Sequence, residues 1–424
     1  MSNSRYLKSM KKFWLIGLVI LIYGSSIGQA SIKVMSYNLL KFPNGISTDR
    51  YNDLVYIVNQ AQPDILMVCE LQDHNSSDTI VTYMNAQYNH YSAAGFEYNH
   101  SGSYQDLNQM LYYNNQKFEL ITQSYLTTTV RDIDYYTLKM KTIDATTNPI
   151  YIEVYVAHFK ANDNTSNNQY SEQTREDMAQ VFVNHLNQVP ANHYVIFGGD
   201  LNLYRSTEGA YQKLIDPNNP IVMIDPKNPQ RNTQYWHNNT NFTAIHTQST
   251  HIQNIGNFAG GGLDDRFDFI FLSENFFTSN TLYYVNNSYK AFGNNGNCFN
   301  KNINDSSCDG FYDQTLRQHL YNMSDHLPVV LTLETTATLS NPELAENINV
   351  RFGNGNIIYK DMTLTGDFDF LEKIEIFDIS GKKVYDKHNY FKNQPINLQK
   401  IKKGIYFVRL IVNNRQKILK FVKQ

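Results

Sequence analysis

The chain has 424 residues, 42% hydrophobic and 18% charged, with a formal net charge of −3. That balance excludes a disordered chain, and it excludes a globally basic surface that would hold nucleic acid or anionic membrane by net charge, while leaving room for a local basic groove. The length allows one large core and a smaller module, and 31 Tyr with 24 Phe favour a β-rich fold.

Lys8, Lys11 and Lys12 precede an apolar run from Phe13 to Tyr23, followed by small residues ending at Ala30. The run is shorter than the roughly 20 residues of a membrane span, and the order is that of a secretory signal peptide. Residues 1–30 are therefore expected to be a leader, and the protein to be secreted or held at the cell surface. Cys298 and Cys308 share an Asn-rich loop and are expected to pair in an oxidising compartment, whereas Cys69 sits in an apolar run and reads as buried.

Ser31 to Leu40 alternates and reads as a strand, with Asn38 at its end. Tyr51 to Ala61 has helical spacing and runs into Pro63. Asp64 to Glu70 is a buried strand with a carboxylate at its end. Met110–Tyr113 and Lys117–Thr122 read as strands around a turn, followed by Asp132–Lys141 and then Ile150–His158, which ends in an imidazole. Gln173 to Leu186 is expected to be helical. The apolar run Tyr194–Phe197 then meets Gly198 and Gly199, after which Asp200 and Asn202 project to the same side of an extended segment. Ser206–Leu214 reads as a helix, Thr240–Gly262 as loop, Arg266–Leu272 as a strand carrying Asp268, Asn294–Tyr312 as a long loop and Leu316–Tyr321 as a short helix. Asp325–Leu333 is a strand opened by Asp325 and His326. Frequent hairpin-like pairs favour a layered α/β sandwich with mixed or antiparallel sheets over a doubly wound parallel sheet.

Polar residues that so regularly follow apolar runs point to one shared mouth at the strand ends. The set suits hydrolysis of a phosphate ester. Carboxylates hold a hard divalent cation, a neutral His accepts a proton from water, and a carboxylate behind that His fixes its tautomer.

The segments SYNLL, PDILMVCELQD, VAHFKA, GGDLNL, RFDFIFLS and SDHLPV, in this order over 31–335, resemble the endonuclease/exonuclease/phosphatase family, with its deoxyribonuclease I-like fold. The resemblance implies a four-layer αββα sandwich with the site at the sheets' upper edge. It implies that Asn38, Glu70 and Asp325 border Mg²⁺, with Mn²⁺ or Ca²⁺ as substitutes. His326 would be the general base oriented by Asp268, with Asp200 and Asn202 positioning water and His158 donating to the phosphate or leaving oxygen. A His at position 158 is similar to the secreted nuclease and sphingomyelinase branches rather than the abasic-site repair branch; Asp106 or Gln109 is expected behind it.

Read singly, these residues have plainer explanations, a hydrogen-bonded structural His for His158 and a solvated strand end for Asp268. Arg175 and Glu176 read as a solvated helix face, with contact to a phosphate as the alternative for Arg175, and His185, His193, His246 and His251 as surface residues. Tyr235 and Trp236 are the candidates for stacking on a base or touching a membrane.

Residues 336–346 have the small, polar composition of a linker, and 347–424 read as a small all-β sandwich domain. IEIFDISGKKV, PINLQKIKKGIYFVRL and KILKFVKQ resemble the sorting domain of the type IX secretion system, with RFGNGN in place of the family's proline-containing opening. That resemblance implies an address read by the secretion machinery. The expectation is a secreted, monomeric, Mg²⁺-dependent phosphodiesterase acting on nucleic acid. A sphingomyelinase-type phospholipase C or another phosphatase of the same fold is the alternative, and a non-catalytic surface-binding protein the reading from a different class.

Overall fold

The computed structural model describes residues 30–44, 49–103, 106–163, 168–340, 350–366, 368, 370–412 and 415–424. The expected leader, apart from Ala30, and residues 341–346 of the expected linker lie outside the described residues. The first half runs β1 (Ala30–Phe42), α1 (Arg50–Ala61), β2 (Ile65–Leu71), α2 (His74–Tyr88), β3 (Tyr91–Ala93), β4 (Asn108–Asn114), β5 (Phe118–Leu126), β6 (Ile133–Met140), β7 (Tyr151–His158) and α3 (Gln169–His185). It continues with β8 (Tyr194–Asp200), α4 (Gly209–Leu214), β9 (Met223–Ile224), β10 (Asp268–Ser273), α5 (Asn275–Thr278), β11 (Leu282–Tyr284), β12 (Lys290–Ala291), α6 (Gln314–Met323) and β13 (Val329–Thr335).

These strands form two sheets. One is ordered β11-β13-β1-β2-β4-β3, with β12 also on β13, and the other β5-β6-β7-β8-β10-β9. Each sheet contains a single parallel pair, β1 with β2 and β7 with β8; the other pairs are antiparallel. β1 and β2 face β7 and β8, and α1 packs on α2 and α6 while α3 packs on α4. The apolar period shows why. Ile152, Val154, Val156, Ile196, Ile270 and Leu272 fill the space between the sheets, and Tyr155, Val195, Phe197, Phe269 and Phe271 face the α3–α4 side. The result is the expected αββα sandwich.

The C-terminal part has its own core. A five-stranded sheet is ordered Ile357–Ile358, Arg415–Lys423, Gly404–Val412, Phe370–Asp378, Lys383–Phe391, and two short strand pairs complete an all-β domain. Ile374, Ile376, Val408 and Leu410 alternate into that core together with Leu364 and Ile396 from the short pairs.

Besides the short β3, β9, α5, β11 and β12, which have no counterpart in the sequence reading, three helices differ from it. α2 has no counterpart there, because it carries few apolar residues, although Asp73 caps it by accepting from the Ser76 N–H at 2.8 Å. α3 begins at Gln169, ahead of Gln173, and α4 begins at Gly209 rather than Ser206. The Cys298–Cys308 disulfide is present and Cys69 is buried, both as expected. Among the described residues no helix is long and apolar enough to cross a membrane.

Candidate active site

Two-residue periodicity delivers three site residues from the second sheet. The face that carries Ile152, Val154 and Val156 continues to His158, that of Ile196 and Gly198 to Asp200, and Asp268 heads the row of Ile270 and Leu272. Register then sets them side by side, His158 opposite Asp200 and Asp200 opposite Asp268. Gly199 makes the close approach possible: its φ is +143°, and a Cβ there would lie 1.8 Å from the Ala157 carbonyl oxygen.

The first sheet supplies Asn38 and Glu70. Met67 packs against Gly198, so strict alternation would aim Glu70 away from the second sheet. Its φ of +61°, in the left-handed region, breaks that alternation. Asn38 Nδ2 donates to Glu70 Oε1 at 2.9 Å and to Asp200 Oδ2 at 3.0 Å, while its Oδ1 accepts from the Leu40 N–H at 2.9 Å.

Asp325 and His326 enter from the turn before β13. Ser324 Oγ fixes that turn, donating to the Asn38 carbonyl at 2.7 Å and accepting from the His326 N–H at 3.1 Å. His326 Nδ1 lies 2.8 Å from Asp268 Oδ2, and Nε2 lies 3.7 Å from Asp200 Oδ2. The Asp268 N–H donates to Thr247 Oγ1 at 3.2 Å. His158 Nε2 stands 3.6 Å from Asp200 Oδ2 and 3.8 Å from Glu70 Oε1, with its carbonyl held by Arg131 Nε at 2.8 Å. Asn202 donates its N–H to Asp200 Oδ1 at 3.1 Å and its Nδ2 to the Phe159 carbonyl at 3.2 Å. All eight residues singled out in the sequence lie in this cluster, and none is more than 9% exposed.

The charges are unbalanced. Burial raises the Asp200 carboxyl to about 7, against the lowering effect of His326 and with Asp268 and Glu70 adding repulsion. Burial likewise lifts Asp325 to about 6. Burial alone would depress His326, but the charges of Asp268 and Asp200 outweigh it and hold its pKa well above the ordinary value. His158 is pushed the other way, well below its usual value, by burial and then by Arg131 and His326. Asp268 Oδ1, Asp325 Oδ1 and His158 Nδ1 are buried without a hydrogen-bond partner among the described residues. Glu70, His158 and Asp200 each offer an atom within 4.8 Å of the others. Crowded carboxylates with orphaned oxygens fit a hard divalent cation. Of the three expected ligands only Glu70 belongs to that closest group, and Asn38 instead bridges two carboxylates through its amide nitrogen.

Residues 35–326 match the model of the endonuclease/exonuclease/phosphatase family. The chain belongs to that family. Residues 344–424 match the secretion system C-terminal sorting domain. The solved structures similar to this chain include D. rerio TDP2 complexed with single-strand DNA product, at 16% identity, covering 72% of this chain and 100% of that chain, with a TM-score of 0.46. The human Nocturnin catalytic domain with bound sulfate is 15% identical over 72% of this chain and 96% of that chain, TM-score 0.44. An endonuclease/exonuclease/phosphatase from Bacteroides vulgatus is 14% identical over 72% and 99%, TM-score 0.45. No curated protein sequence matches the chain.

Some residues of this family member lie where the sequence did not put them. Arg175 is fully buried rather than solvated, its Nη2 2.7 Å from Glu208 Oε2, and Glu176 pairs with Lys213 at 3.3 Å. His246 and His251 are fully buried; His185 and His193 are half-buried, bonded to Tyr155 and Glu153. Trp236 is buried, donating to the Leu203 carbonyl at 2.7 Å, and cannot stack on a ligand, whereas Tyr235 is 55% exposed. Neither Asp106 nor Gln109 bonds His158 Nδ1, and Gln109 Nε2 instead donates to the Asp132 carbonyl. The sequence reading missed Gln248. Its Nε2 lies 2.8 Å from His326 Nε2 and 3.4 Å from Asp325 Oδ2, yet it sits in a polar loop with no periodic signal.

Proposed function

We propose that this chain is an exported, Mg²⁺-dependent phosphodiesterase whose substrate is extracellular DNA or RNA. The observation that carries the reading is the Asp268–His326 pair set against the Asp200, Glu70 and Asn38 cluster across the two sheets. Glu70 would anchor the cation, with Asn38 and Asp325 bordering it. When bound, the cation neutralises charge on the phosphoryl and leaving oxygens.

The chain's own groups do the rest. Asp268 keeps the proton on His326 Nδ1, which leaves Nε2 to take a proton from the attacking water. The Gln248 amide occupies that same lone pair and yields it to the water. Asp200 and Asn202 orient the water in line with the ester bond, so that the new P–O bond forms as the ester P–O bond breaks. His158, kept neutral by burial, donates from Nε2 to a phosphoryl oxygen in a site shielded from solvent.

The sorting domain marks the chain for export by type IX secretion to the cell surface or beyond. The reading adds a cleaved leader over 1–30, a catalytic domain over 31–335 and a C-terminal domain from 347 that takes no part in catalysis. Release of cut plasmid DNA or RNA, measured beside phosphocholine release from sphingomyelin, tests it. Nucleic-acid cleavage that vanishes in His326→Ala and survives truncation after Asn347 supports the reading. Phosphocholine release with intact DNA and RNA replaces the substrate.

A further inference from the structure

A cavity of about 300 Å³ is lined by Asn162, Glu172, Tyr204, Arg205, Tyr235 and His237 among others. Its walls continue the strands that carry the site. Asn162 lies just beyond His158 and Phe159, Tyr204 and Arg205 follow Asn202, and His237 is bonded at 2.6 Å to Asp265, just ahead of Asp268. Part of the lining thus comes from the segments that follow or precede the strand ends bearing His158, Asp200 and Asp268.

Its chemistry is specific. Tyr235 presents a ring 55% exposed on a fixed footing: its backbone bridges Arg205, its carbonyl accepts from Asn239 Nδ2 at 2.7 Å, and the neighbouring Trp236 is buried. Arg205 reaches Glu172 at 2.9 Å and 3.0 Å, and the bond to Asp265 keeps His237 above its usual pKa. Asn162 is tied to Arg175 Nη1 at 3.0 Å. An exposed aromatic face, an amide and two ion pairs, Arg205 with Glu172 and His237 with Asp265, match a flat heteroaromatic ring with hydrogen-bonding edges.

We propose that this cavity holds one base of an unpaired nucleic-acid strand, stacked on Tyr235, beside the scissile phosphate. The proposal rests on the nuclease reading and deepens it. A base in a duplex stays in its stack and enters such a cavity only after being flipped out at an energetic cost, so the enzyme prefers single strands.

The test compares kcat/KM of the full chain on a single-stranded oligonucleotide, on a hairpin of the same sequence and on bis(4-nitrophenyl) phosphate, which carries no base. Tyr235→Ala is expected to lower the ratio of single-strand to small-diester kcat/KM by about 5- to 100-fold, chiefly through KM, and Tyr235→Phe to restore it. Wild-type protein is expected to cut the single strand faster than the hairpin. An unchanged ratio in Tyr235→Ala, or equal rates on strand and hairpin, overturns the subsite and leaves the nuclease reading standing. Turnover of the small diester alone, with neither nucleic acid cut, overturns both.

Discussion

His326 Nδ1 lies 2.8 Å from Asp268 Oδ2, a bond between residues 58 positions apart in the chain. Asp268 heads β10 in the second sheet, while His326 enters β13 in the first, so the pair exists only when the two sheets are packed. Ser324 and Thr247 hold its two ends through backbone groups. On the proposed reading, catalytic competence and correct packing of the sandwich are thus one condition.

If the pair works as a unit, Asp268→Asn and His326→Ala each lower kcat by about 10²- to 10⁴-fold. The double variant is then little worse than the poorer single, because the second change removes what the first disabled. Steady-state kinetics on one substrate decide this; losses that multiply in the double variant refute the coupling.

The same pair sets a pH dependence. His326 must be neutral to accept a proton, and Asp268 and Asp200 hold its pKa well above 6.5 in spite of burial. The rate therefore rises with pH along a limb whose midpoint exceeds 6.5, and Asp268→Asn moves that limb to lower pH while reducing its height. The sign for stability is opposite: the raised pKa favours the folded chain fully below the unfolded value, and that contribution disappears as pH climbs through the folded one. A rate that falls between about pH 6 and 9 contradicts the assignment of His326 as base.

Cation binding should displace protons. Asp200 and Asp325 are lifted to about 7 and about 6 by burial, so near neutral pH part of the site is protonated. A divalent ion binds the deprotonated form, and Mg²⁺ affinity rises with pH through this range. Calorimetry in two buffers of different ionisation enthalpy measures the released protons; binding without proton release would mean that these carboxylates are not at the cation.

The support beneath the site carries its own cost. Arg266 is fully buried and forms two bonds of 2.8 Å with Asp225, just ahead of the strand that bears Asp268. Asp225→Ala leaves that guanidinium without its carboxylate and destabilises the chain by about 3–5 kcal/mol, read as a lower urea midpoint. A midpoint equal to that of wild type contradicts the pairing.

The strand-end residues were legible because each follows a run of apolar residues whose period sets the side it faces. His158, Asp200 and Asp268 keep that period, and the turn motif SDHLPV delivers Asp325 and His326. Glu70 was found by its position at a strand end, although its orientation comes from a positive φ that no pattern announces. Gln248 could not be read at all, since its role depends on a loop folding back over His326. The errors share one cause. Arg175, His246, His251 and Trp236 are polar or amphipathic residues in segments of mixed composition, and each is buried because a distant partner satisfies it or other chain segments close over it. Such pairings belong to tertiary structure. In α2 the apolar signal is thin, with Ile80 and Met84 its buried apolar residues, so packing rather than periodicity makes the helix visible.

The most direct test is hydrolysis of bis(4-nitrophenyl) phosphate by the full chain, stripped of metal with EDTA and then restored with Mg²⁺, beside His326→Ala treated in the same way. Turnover that disappears with EDTA, returns with Mg²⁺ and is absent from the variant is the predicted result. Turnover in His326→Ala equal to that of wild type, or undiminished by EDTA, would contradict the assignment of this cluster as a metal-dependent phosphodiesterase site.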